Sequence, residues 1–547
     1  MTNIFRDTRL QLAVLVLVAL LLRVGQLSSS LSYDEIWTLQ NYSELPLSQI
    51  FTDLELPNNQ PLNTVAVKIL AFLLPIPAVV RLHSLLAGVG SVVLLWFIAL
   101  VASGRRAAFW SGLFLALSAP AALYSQLARG YELQLFFLLL CFAGFAMTGQ
   151  YRPRRWKFLP EILIAAGGAG ALFTLPTTVI FLAAGVLVLW LRRPQRPGRG
   201  VTVVVAAGAV ITLGYLLINF QAFQTGRQWG SAITSVADWF RFAGGTMEAL
   251  LPPLLILPVL VGTLRRPPAR GFDRGNAALL LFVVLTLLSA LATKAGPPRV
   301  YLPLTAIFSL LAGIGVDRIF DWIAVTPAGG KWLRAAVTVI VLLAAATGYF
   351  TLARNPAWRL PDWRRVFAAV AADYPPETLV VYRATDGYPV MWNNAPEIYD
   401  DHFARLANRA DRRMLLMFDE PGAFNGSNRE MGEEVRNFPA VPESQAAPGG
   451  VPASLYRLER LREPPSPGLP VIAVIGPVQE TAATTLANEV DPGGPVQLNI
   501  WLNTVTREQN GVSVRGLLLL LPPEAVTAET LARLSRYGDA VALYQVR

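Results

Sequence analysis

Cysteine and histidine are almost absent from this sequence. Its 547 residues include one cysteine, Cys141, and two histidines, His83 and His402. One cysteine excludes an intrachain disulfide and a cysteine-based metal site. Two histidines exclude a zinc site of the histidine-rich kind. Any metal ion in this protein would therefore need carboxylate ligands.

Charged residues are also scarce. They make up 15% of the chain, whereas ordinary soluble domains have about 25%, and hydrophobic residues reach 54%. This composition excludes a purely water-soluble enzyme. The net charge of +10 is unevenly distributed, because residues 1–354 have 28 basic and 13 acidic residues while residues 355–547 have 18 and 23. We therefore expect a basic, apolar domain over 1–354 and a mildly acidic domain over 355–547.

Long apolar runs recur through the first domain. A transmembrane helix needs about 20 mostly apolar residues. Candidate spans lie near residues 10–27, 79–102, 107–124, 131–149, 159–173, 176–191, 201–220, 246–264, 277–293, 300–317 and 333–353. A further apolar segment, 61–75, is short and bounded by two prolines, which favours a helix at the membrane interface. The sequence thus predicts a polytopic α-helical membrane protein with about eleven transmembrane helices and a large first outer loop, 28–78.

The basic residues predict the orientation of these helices, since positive charge accumulates in cytoplasmic loops. With the N-terminus in the cytoplasm, 19 of the 28 basic residues of the first domain fall in cytoplasmic loops. A crossing by segment 61–75 would destroy this pattern. We therefore expect a multi-pass protein of the cell (inner or plasma) membrane whose C-terminal domain is extracytoplasmic. Nucleic acid is not expected as a partner, because membrane topology explains the basic charge.

The C-terminal domain has a mixed α/β pattern, with short apolar runs between candidate helices. Candidate strands are TLVVYR, MLLMFD, LPVIAVIG, VQLNIWL, RGLLLLLP and AVALYQV, and candidate helices cover 362–374 and 528–538. The sequence of this domain contains no glycine-rich phosphate loop, nucleophile elbow or metal motif. We expect it to be an accessory domain.

Acidic residues cluster in the first outer loop. The segment SYDEIWTLQNY places Asp34 and Glu35 after the first span, beside Tyr33. A carboxylate partly buried at a membrane–water boundary can act as a general base or a metal ligand. Because adjacent side chains diverge, we expect one carboxylate to enter a cavity and the other to orient it or fix the backbone. A solvated loop pair is the alternative. A divalent cation, Mg²⁺ or Mn²⁺, would bind Asp34 and Glu35, but no motif requires one.

Amide side chains precede the interfacial segment. Asn58, Asn59 and Gln60 in PNNQPLNT can each donate and accept hydrogen bonds, which suits a sugar hydroxyl or a phosphate oxygen. The alternative is an Asx-rich turn that caps the next helix.

Two outer loops are basic and aromatic. Their candidate residues are Arg129, Tyr131 and Glu132 in YSQLARGYELQ, and Lys294, Arg299 and Tyr301 in KAGPPRVYLPL. A guanidinium binds phosphate through two parallel hydrogen bonds, which a lysine cannot do. Arginine at such a position can also extend to lipid headgroups, which is the alternative role. Two basic loops and one acidic loop are expected to face one cavity.

The order of these motifs resembles a known family. DE after the first span, PNNQPLNT before a short apolar helix, RLHSLLAGVGSV, YSQLARGYEL and RVYLPL together resemble the membrane glycosyltransferases of the C-type superfamily. More narrowly, the chain looks like the protein-mannosyltransferase and aminoarabinose-transferase-like branch. The resemblance covers most of residues 1–320, and the start of the C-terminal domain is similar to the extracytoplasmic part of such proteins.

The resemblance implies a hexosyl- or pentosyltransferase that moves a sugar, with inversion, from a polyprenyl-phosphate donor to an acceptor on the outer face. The acceptor in this family is a glycan, a lipid or a protein. Asp34 matches the acidic residue proposed as general base in such enzymes, and Glu35 is its neighbour in that motif. Arg129 and Arg299 lie in motifs whose basic residues would hold the donor phosphate. The candidate residues for donor phosphate binding are Arg129, Lys294, Arg299 and Tyr301, and those for sugar or acceptor binding are Tyr33, Asn58, Asn59, Gln60, Tyr131 and Glu132.

Two positions depart from the family pattern. Leu127 stands where many relatives have an acidic residue, and Gln60 stands where histidine is common. Both changes weaken the case for metal dependence, and Glu132 is a candidate replacement for the acidic residue missing at Leu127.

Two other functions fit the same hydropathy: a transporter or flippase for a lipid-linked sugar, and a non-catalytic glycan-binding membrane subunit. The sequence shows no internal repeat of the kind expected in many transporters.

Overall fold

The structure is a computed structural model. It describes residues 7–54, 59–74, 76–150, 157–191, 199–219, 233–265, 273–294, 296–325, 330–354, 363–375, 378–382, 412–418, 444–447, 453–462, 464–465, 471–479, 499–501, 507–509, 512–521, 526–529, 532, 535 and 541–546. The chain forms two compact units. Unit 1 contains Met1–Ser28 and Trp37–Trp358, and unit 2 contains Ser29–Ile36 and Arg359–Arg547.

Helices dominate the first 354 residues. Numbered in chain order with one helix beyond residue 354, they are α1 (Thr8–Arg23), α2 (Tyr33–Trp37), α3 (Leu47–Thr52), α4 (Pro61–Leu73), α5 (Pro77–Val80), α6 (Leu82–Ser103), α7 (Arg105–Ala116), α8 (Ala119–Tyr124), α9 (Gly130–Gln150), α10 (Leu159–Thr174), α11 (Thr178–Leu191), α12 (Arg199–Ile218), α13 (Val236–Leu250), α14 (Ile256–Val261), α15 (Arg274–Leu288), α16 (Ala290–Thr293), α17 (Leu304–Val325), α18 (Lys331–Arg354) and α19 (Trp363–Asp373). A π-helical turn covers Thr38–Tyr42, and 3₁₀ turns cover Pro253–Leu255 and Pro298–Tyr301.

Local sequence signals set several helix ends. The Asp7 carboxylate accepts the backbone N–H groups of Arg9 and Leu10 at 2.8 and 3.3 Å, which caps α1. Helix α4 begins at Pro61, where the missing N–H of proline costs nothing because the first turn has no partner for it. Gly104 has a φ of +96° between α6 and α7, a conformation that favours glycine and allows the sharp turn there.

Each of the eleven predicted spans overlaps a helix or a pair of consecutive helices. Among the described residues, three helices are long and apolar enough to cross a membrane: Leu82–Ser103, Gly130–Thr148 and Gly275–Ala292. A fourth span is possible if Val236–Leu250 and Pro253–Val261, which meet at 93°, count as one broken span. The chain is therefore a membrane protein. The number eleven remains a prediction, because several of the other helices are shorter than a bilayer requires.

Small residues let the long helices approach closely. An added Cβ at Gly167 of α10 would lie 2.4 Å from the backbone nitrogen of Cys141 in α9. An added Cβ at Gly313 of α17 would lie 2.5 Å from the backbone nitrogen of Ser111 in α7. Helix association in lipid depends on such contacts, because lipid tails are as apolar as the side chains.

Unit 2 contains a nine-stranded sheet. Its strands are β1 (Leu379–Tyr382), β2 (Arg412–Phe418), β3 (Ser444–Ala446), β4 (Ala453–Arg460), β5 (Val471–Gln479), β6 (Asn499–Trp501), β7 (Arg507–Gln509), β8 (Val512–Leu521) and β9 (Val541–Val546). The strand order is β1-β2-β4-β9-β5-β8-β6, with β3 paired to β4 and β7 paired to β8. Only the pair β1 and β2 is parallel among these strands.

The six predicted apolar strands overlap β1, β2, β5, β6, β8 and β9, and the predicted helix 362–374 overlaps α19. Strand β4 was not predicted, because its sequence ASLYRLER mixes charged and apolar residues. Tyr456 of β4 and Tyr544 of β9 are nevertheless buried. The predicted helix 528–538 lies largely outside the described residues.

Candidate functional site

The two adjacent carboxylates occupy the first turn of the short helix α2. Glu35 is buried, and its Oε2 accepts the backbone N–H of Ser32 at 2.7 Å. The Ser32 carbonyl in turn accepts the N–H groups of Glu35 and Ile36 at 3.1 and 3.0 Å. This is one half of a capping box, in which the third helical residue holds the chain just before the helix. Glu35 thus fixes the backbone, and Asp34 is the half-exposed carboxylate of the pair.

Asp34 and Glu35 belong to unit 2, whereas the basic loops belong to unit 1. The side chain of Tyr33 lies outside what the structure describes. Asp34 is therefore a base candidate on the strength of its motif and its exposure.

The carboxylates do not form a recognisable metal centre. Within the described ranges, no group of three or more histidine, cysteine, aspartate or glutamate side chains is arranged to hold a metal ion. The Glu35 carboxylate is engaged by the Ser32 backbone. Binding of Mg²⁺ or Mn²⁺ by Asp34 and Glu35 remains a prediction.

The amide segment is tied into the protein. The Asn59 Nδ2 donates to the Ile50 carbonyl at 2.9 Å, and the Asn59 Oδ1 accepts from the Thr64 hydroxyl at 3.0 Å. Nδ2 also donates to the Asp53 carbonyl. Asn59 therefore ties the end of α3 to the first turn of α4, and its side chain does not cap α4. Asn58 lies outside the described residues.

Gln60 is fully buried, and its Oε1 accepts the backbone N–H of Gly130 at the start of α9. Its Nε2 has no hydrogen-bond partner among the described residues. One turn along α4, Asn63 is also fully buried and donates from Nδ2 to the Ala128 carbonyl at 3.1 Å. Gln60 and Asn63, at the start of α4, thus form hydrogen bonds to the backbone on both sides of Arg129.

Three candidates of the two basic loops meet at Tyr131. The guanidinium carbon of Arg129 lies 5.9 Å from the centre of the Tyr131 ring. The Arg299 Nε donates to the Tyr131 hydroxyl at 3.1 Å, across 168 positions of sequence. The Arg129 Nη1 also reaches the Thr38 hydroxyl at 3.4 Å. Arg129 and Tyr131 are buried and Arg299 is half-buried, so two guanidinium groups converge in a mostly apolar bundle.

Lys294 and Tyr301 lie at the two ends of the segment that positions Arg299. Among the described residues, Lys294 is the one non-glycine residue with positive φ, at φ +65° and ψ +158°. This region is nearly restricted to glycine and is strained for lysine. Tyr301 is buried, and its ring packs edge-on against Phe242 at 5.3 Å. The 3₁₀ turn Pro298–Tyr301 places Arg299 between them.

Glu132 faces a different group of residues from its neighbour Tyr131. It is fully buried, and neither carboxylate oxygen has a hydrogen-bond partner among the described residues. Arg23 of α1 is the positive charge that acts on it. The Arg23 guanidinium is itself fully buried and donates to Ser125 Oγ and to the carbonyls of Leu115 and Ala116 at 2.9–3.1 Å.

Sequence reasoning did not single out Arg23, Arg81, Asn63 or His83. Arg81 is fully buried and donates from Nη1 to the carbonyls of Gln26 and Leu27, each at 3.0 Å. The His83 Nε2 lies 2.8 Å from Asn63 Oδ1. Asn63 lies in the motif PNNQPLNT, and His83 lies in the motif RLHSLLAGVGSV. Their place in these motifs is the sequence signal that could have identified them. Arg23 and Arg81 were counted only as charges near span ends.

No protein-family model matches the chain, and no curated protein matches it. Solved structures do match. The crystal structure of ArnT from Cupriavidus metallidurans bound to undecaprenyl phosphate covers 82% of this chain and 98% of its own, at 15% identity and a TM-score of 0.47. The oligosaccharyltransferase of Archaeoglobus fulgidus, in complex with Zn and sulfate, covers 70% of this chain and 61% of its own, at 12% identity and a TM-score of 0.44.

The arabinofuranosyltransferase AftD from Mycobacteria covers 69% of this chain and 31% of its own, at 20% identity and a TM-score of 0.40. The structures that this chain resembles thus include two sugar transferases and a protein that binds a polyprenyl phosphate.

Proposed function

We propose that this chain is an integral membrane glycosyltransferase. It transfers a sugar from a polyprenyl-phosphate donor to a glycan, lipid or protein acceptor on the extracytoplasmic face, with inversion at the anomeric carbon. In this proposal residues 1–354 form the catalytic membrane domain, and residues 355–547 form an extracytoplasmic accessory domain.

The convergence of Arg129 and Arg299 on Tyr131 carries the proposal. Two guanidinium groups that converge on one side chain in a low-dielectric bundle form a site of positive potential that favours an anion. A lipid-linked phosphate supplies two or more oxygens at one point, and guanidinium groups match its geometry. The Tyr131 hydroxyl accepts from Arg299 and its ring faces Arg129, so one side chain orients both cations.

The reaction would be a single in-line displacement. The acceptor oxygen forms a bond to the anomeric carbon while the bond from that carbon to the phosphate oxygen breaks. The polyprenyl phosphate leaves with additional negative charge. Preorganised cations at the leaving group stabilise this developing charge, which is the role we assign to Arg129 and Arg299, assisted by Lys294 and Tyr301.

The acceptor hydroxyl must lose its proton as it attacks. Asp34 is the general base in this proposal, and it receives that proton on a carboxylate oxygen. Glu35 contributes by fixing the turn from which Asp34 projects, through its hydrogen bond to Ser32. General-base help of this kind is worth about 10² to 10⁴ in rate.

Donor consumption by purified protein in lipid nanodiscs tests the proposal. The donors are a panel of polyprenyl-phosphate sugars, and cell-envelope extract supplies the acceptor. We expect the native chain to release polyprenyl phosphate from one donor and to label a component of the extract. Binding of a labelled donor without consumption would contradict the proposal and would favour a transporter or a non-catalytic subunit.

A further inference from the structure

Two buried amides, Gln60 just before α4 and Asn63 in its first turn, form hydrogen bonds to the chain on either side of Arg129. Gln60 accepts the N–H of Gly130, and Asn63 donates to the carbonyl of Ala128 at 3.1 Å. Both side chains are completely buried, so neither bond competes with water. The peptide groups that flank Arg129 are therefore fixed by hydrogen bonds to the N-cap residue and the first turn of α4.

The packing of α4 against residues 128–130 leaves no room for a side chain at Gly130. A Cβ added at Gly130 would lie 2.7 Å from Thr174 Cγ2, 3.0 Å from Gln60 Oε1 and 3.4 Å from Asn63 Cβ. A side chain at this position would push the loop away from both amides. The close packing and the two hydrogen bonds thus fix the same three residues, Ala128, Arg129 and Gly130.

Asn63 is itself oriented by a neighbour. Its Oδ1 lies 2.8 Å from His83 Nε2, and its Nδ2 points to Ala128. Since Oδ1 can only accept, the hydrogen in this bond must be on His83 Nε2. A doubly protonated imidazole also has a hydrogen on Nε2, so His83 donates to Oδ1 in that form as well. The bond therefore orients the side-chain amide of Asn63 with Oδ1 toward His83 and Nδ2 toward Ala128.

We propose that Gln60 and Asn63 are positioning residues that fix the Arg129 guanidinium for the phosphate of a polyprenyl-phosphate lipid. Neither amide side chain needs to contact the lipid for this role. The inference rests on the proposed role of Arg129, and it assigns Gln60 a structural partner where the sequence suggested a sugar.

A binding measurement with two lipid probes separates positioning from general damage. The probes are undecaprenyl phosphate and undecaprenol, titrated onto the full chain in nanodiscs. Their affinity ratio reports phosphate recognition, whereas loss of the fold weakens both equally. The variants are Asn63→Leu and Gln60→Met, which keep side-chain volume and remove the hydrogen bonds, each alone and combined with Arg129→Ala.

The matched control is Asn219→Leu. Asn219 is also a buried amide that donates to a backbone carbonyl, that of Tyr215 at 2.9 Å, but it lies directly after α12. We expect the native chain and this control to prefer the phosphate lipid equally. We expect Asn63→Leu and Gln60→Met to lower that preference about tenfold, the size expected from loss of a buried hydrogen bond near a charged site. On the Arg129→Ala background the same changes should have no further effect.

Three other outcomes of this experiment would each contradict a specific claim. If Arg129→Ala lowers the preference while both amide variants keep it, the positioning inference is wrong and the proposed function stands. If the amide variants lower the preference equally with and without Arg129, they do not act through Arg129 and the inference is again wrong. If Arg129→Ala itself keeps the preference, the proposed phosphate site is wrong.

Discussion

Four buried or half-buried arginines of unit 1 differ in what their guanidinium groups contact. Arg23 and Arg81 donate to backbone carbonyls, which ties helices and loops together. Arg129 and Arg299 instead meet at an aromatic side chain that has one hydroxyl. Counting charged residues near the ends of the predicted spans does not distinguish these four arginines from one another. Only the three-dimensional contacts separate the structural pair from the pair that suits a ligand.

Tyr131→Phe tests the convergence of the two cations. The change keeps the ring beside Arg129 and removes the hydroxyl that accepts from Arg299 Nε. We expect the affinity for undecaprenyl phosphate to fall about tenfold, since hydrogen bonds to charged groups are worth about 1.5–3 kcal/mol. Titration in nanodiscs measures it. The control is Tyr349→Phe, which removes a hydroxyl that donates to Leu22 O at 3.4 Å. Equal affinities for native and Tyr131→Phe chains would contradict this arrangement.

Arg23→Leu is expected to destabilise the protein strongly. It removes hydrogen bonds to Ser125, Leu115 and Ala116 and leaves Glu132 buried without its counter-charge. Each buried acceptor left without its donor costs about 1–3 kcal/mol. Thermal unfolding should show a clear fall in Tm, and adding Glu132→Gln should restore part of it. A double variant no more stable than Arg23→Leu would show that Glu132 does not depend on this arginine.

At the scale of elements, hydropathy located the long apolar helices and six of the nine described strands, but not the short helices α2 and α3 or the short strands β3 and β7. It did not locate β4, because the pattern of ASLYRLER alternates with charges. It also gave no sign of the amide contacts of α4. Asn63 and Ala128 are 65 positions apart, and no local pattern encodes such a pair. Motif order suggested which loops matter, whereas their contacts required the packed helices.

The packing of α9 on α10 gives a matched pair of glycine changes. A Cβ at Gly167 would lie 2.4 Å from the backbone nitrogen of Cys141, whereas a Cβ at Gly168 meets nothing within 4 Å. We expect Gly167→Ala to lower Tm, because backbone atoms cannot move aside without separating the helices. Gly168→Ala should leave Tm unchanged or raise it, since alanine favours helix. Equal Tm values for the two variants would contradict the close contact.

At the scale of the whole molecule, the predicted orientation depends on where the basic loops lie. The chain offers a simple test because its single cysteine, Cys141, is buried. A cysteine introduced at Ser48 or Arg105, both exposed, should therefore give the labelling signal. We expect an impermeant maleimide to label Ser48→Cys in intact cells, and Arg105→Cys only after permeabilisation. The reverse result would invert the topology and place the first loop in the cytoplasm.

Asp34 is the residue that the proposed transfer reaction requires most directly, and its motif and exposure favour it as the base. The decisive measurement is the single-turnover rate of sugar transfer by native chain and Asp34→Asn, with donor affinity measured in parallel. Asparagine keeps the size of the side chain but cannot accept the proton. We predict a rate lower by about 10² to 10⁴ with unchanged donor affinity. A native rate in a well-folded Asp34→Asn chain would contradict the assignment of Asp34 as the general base.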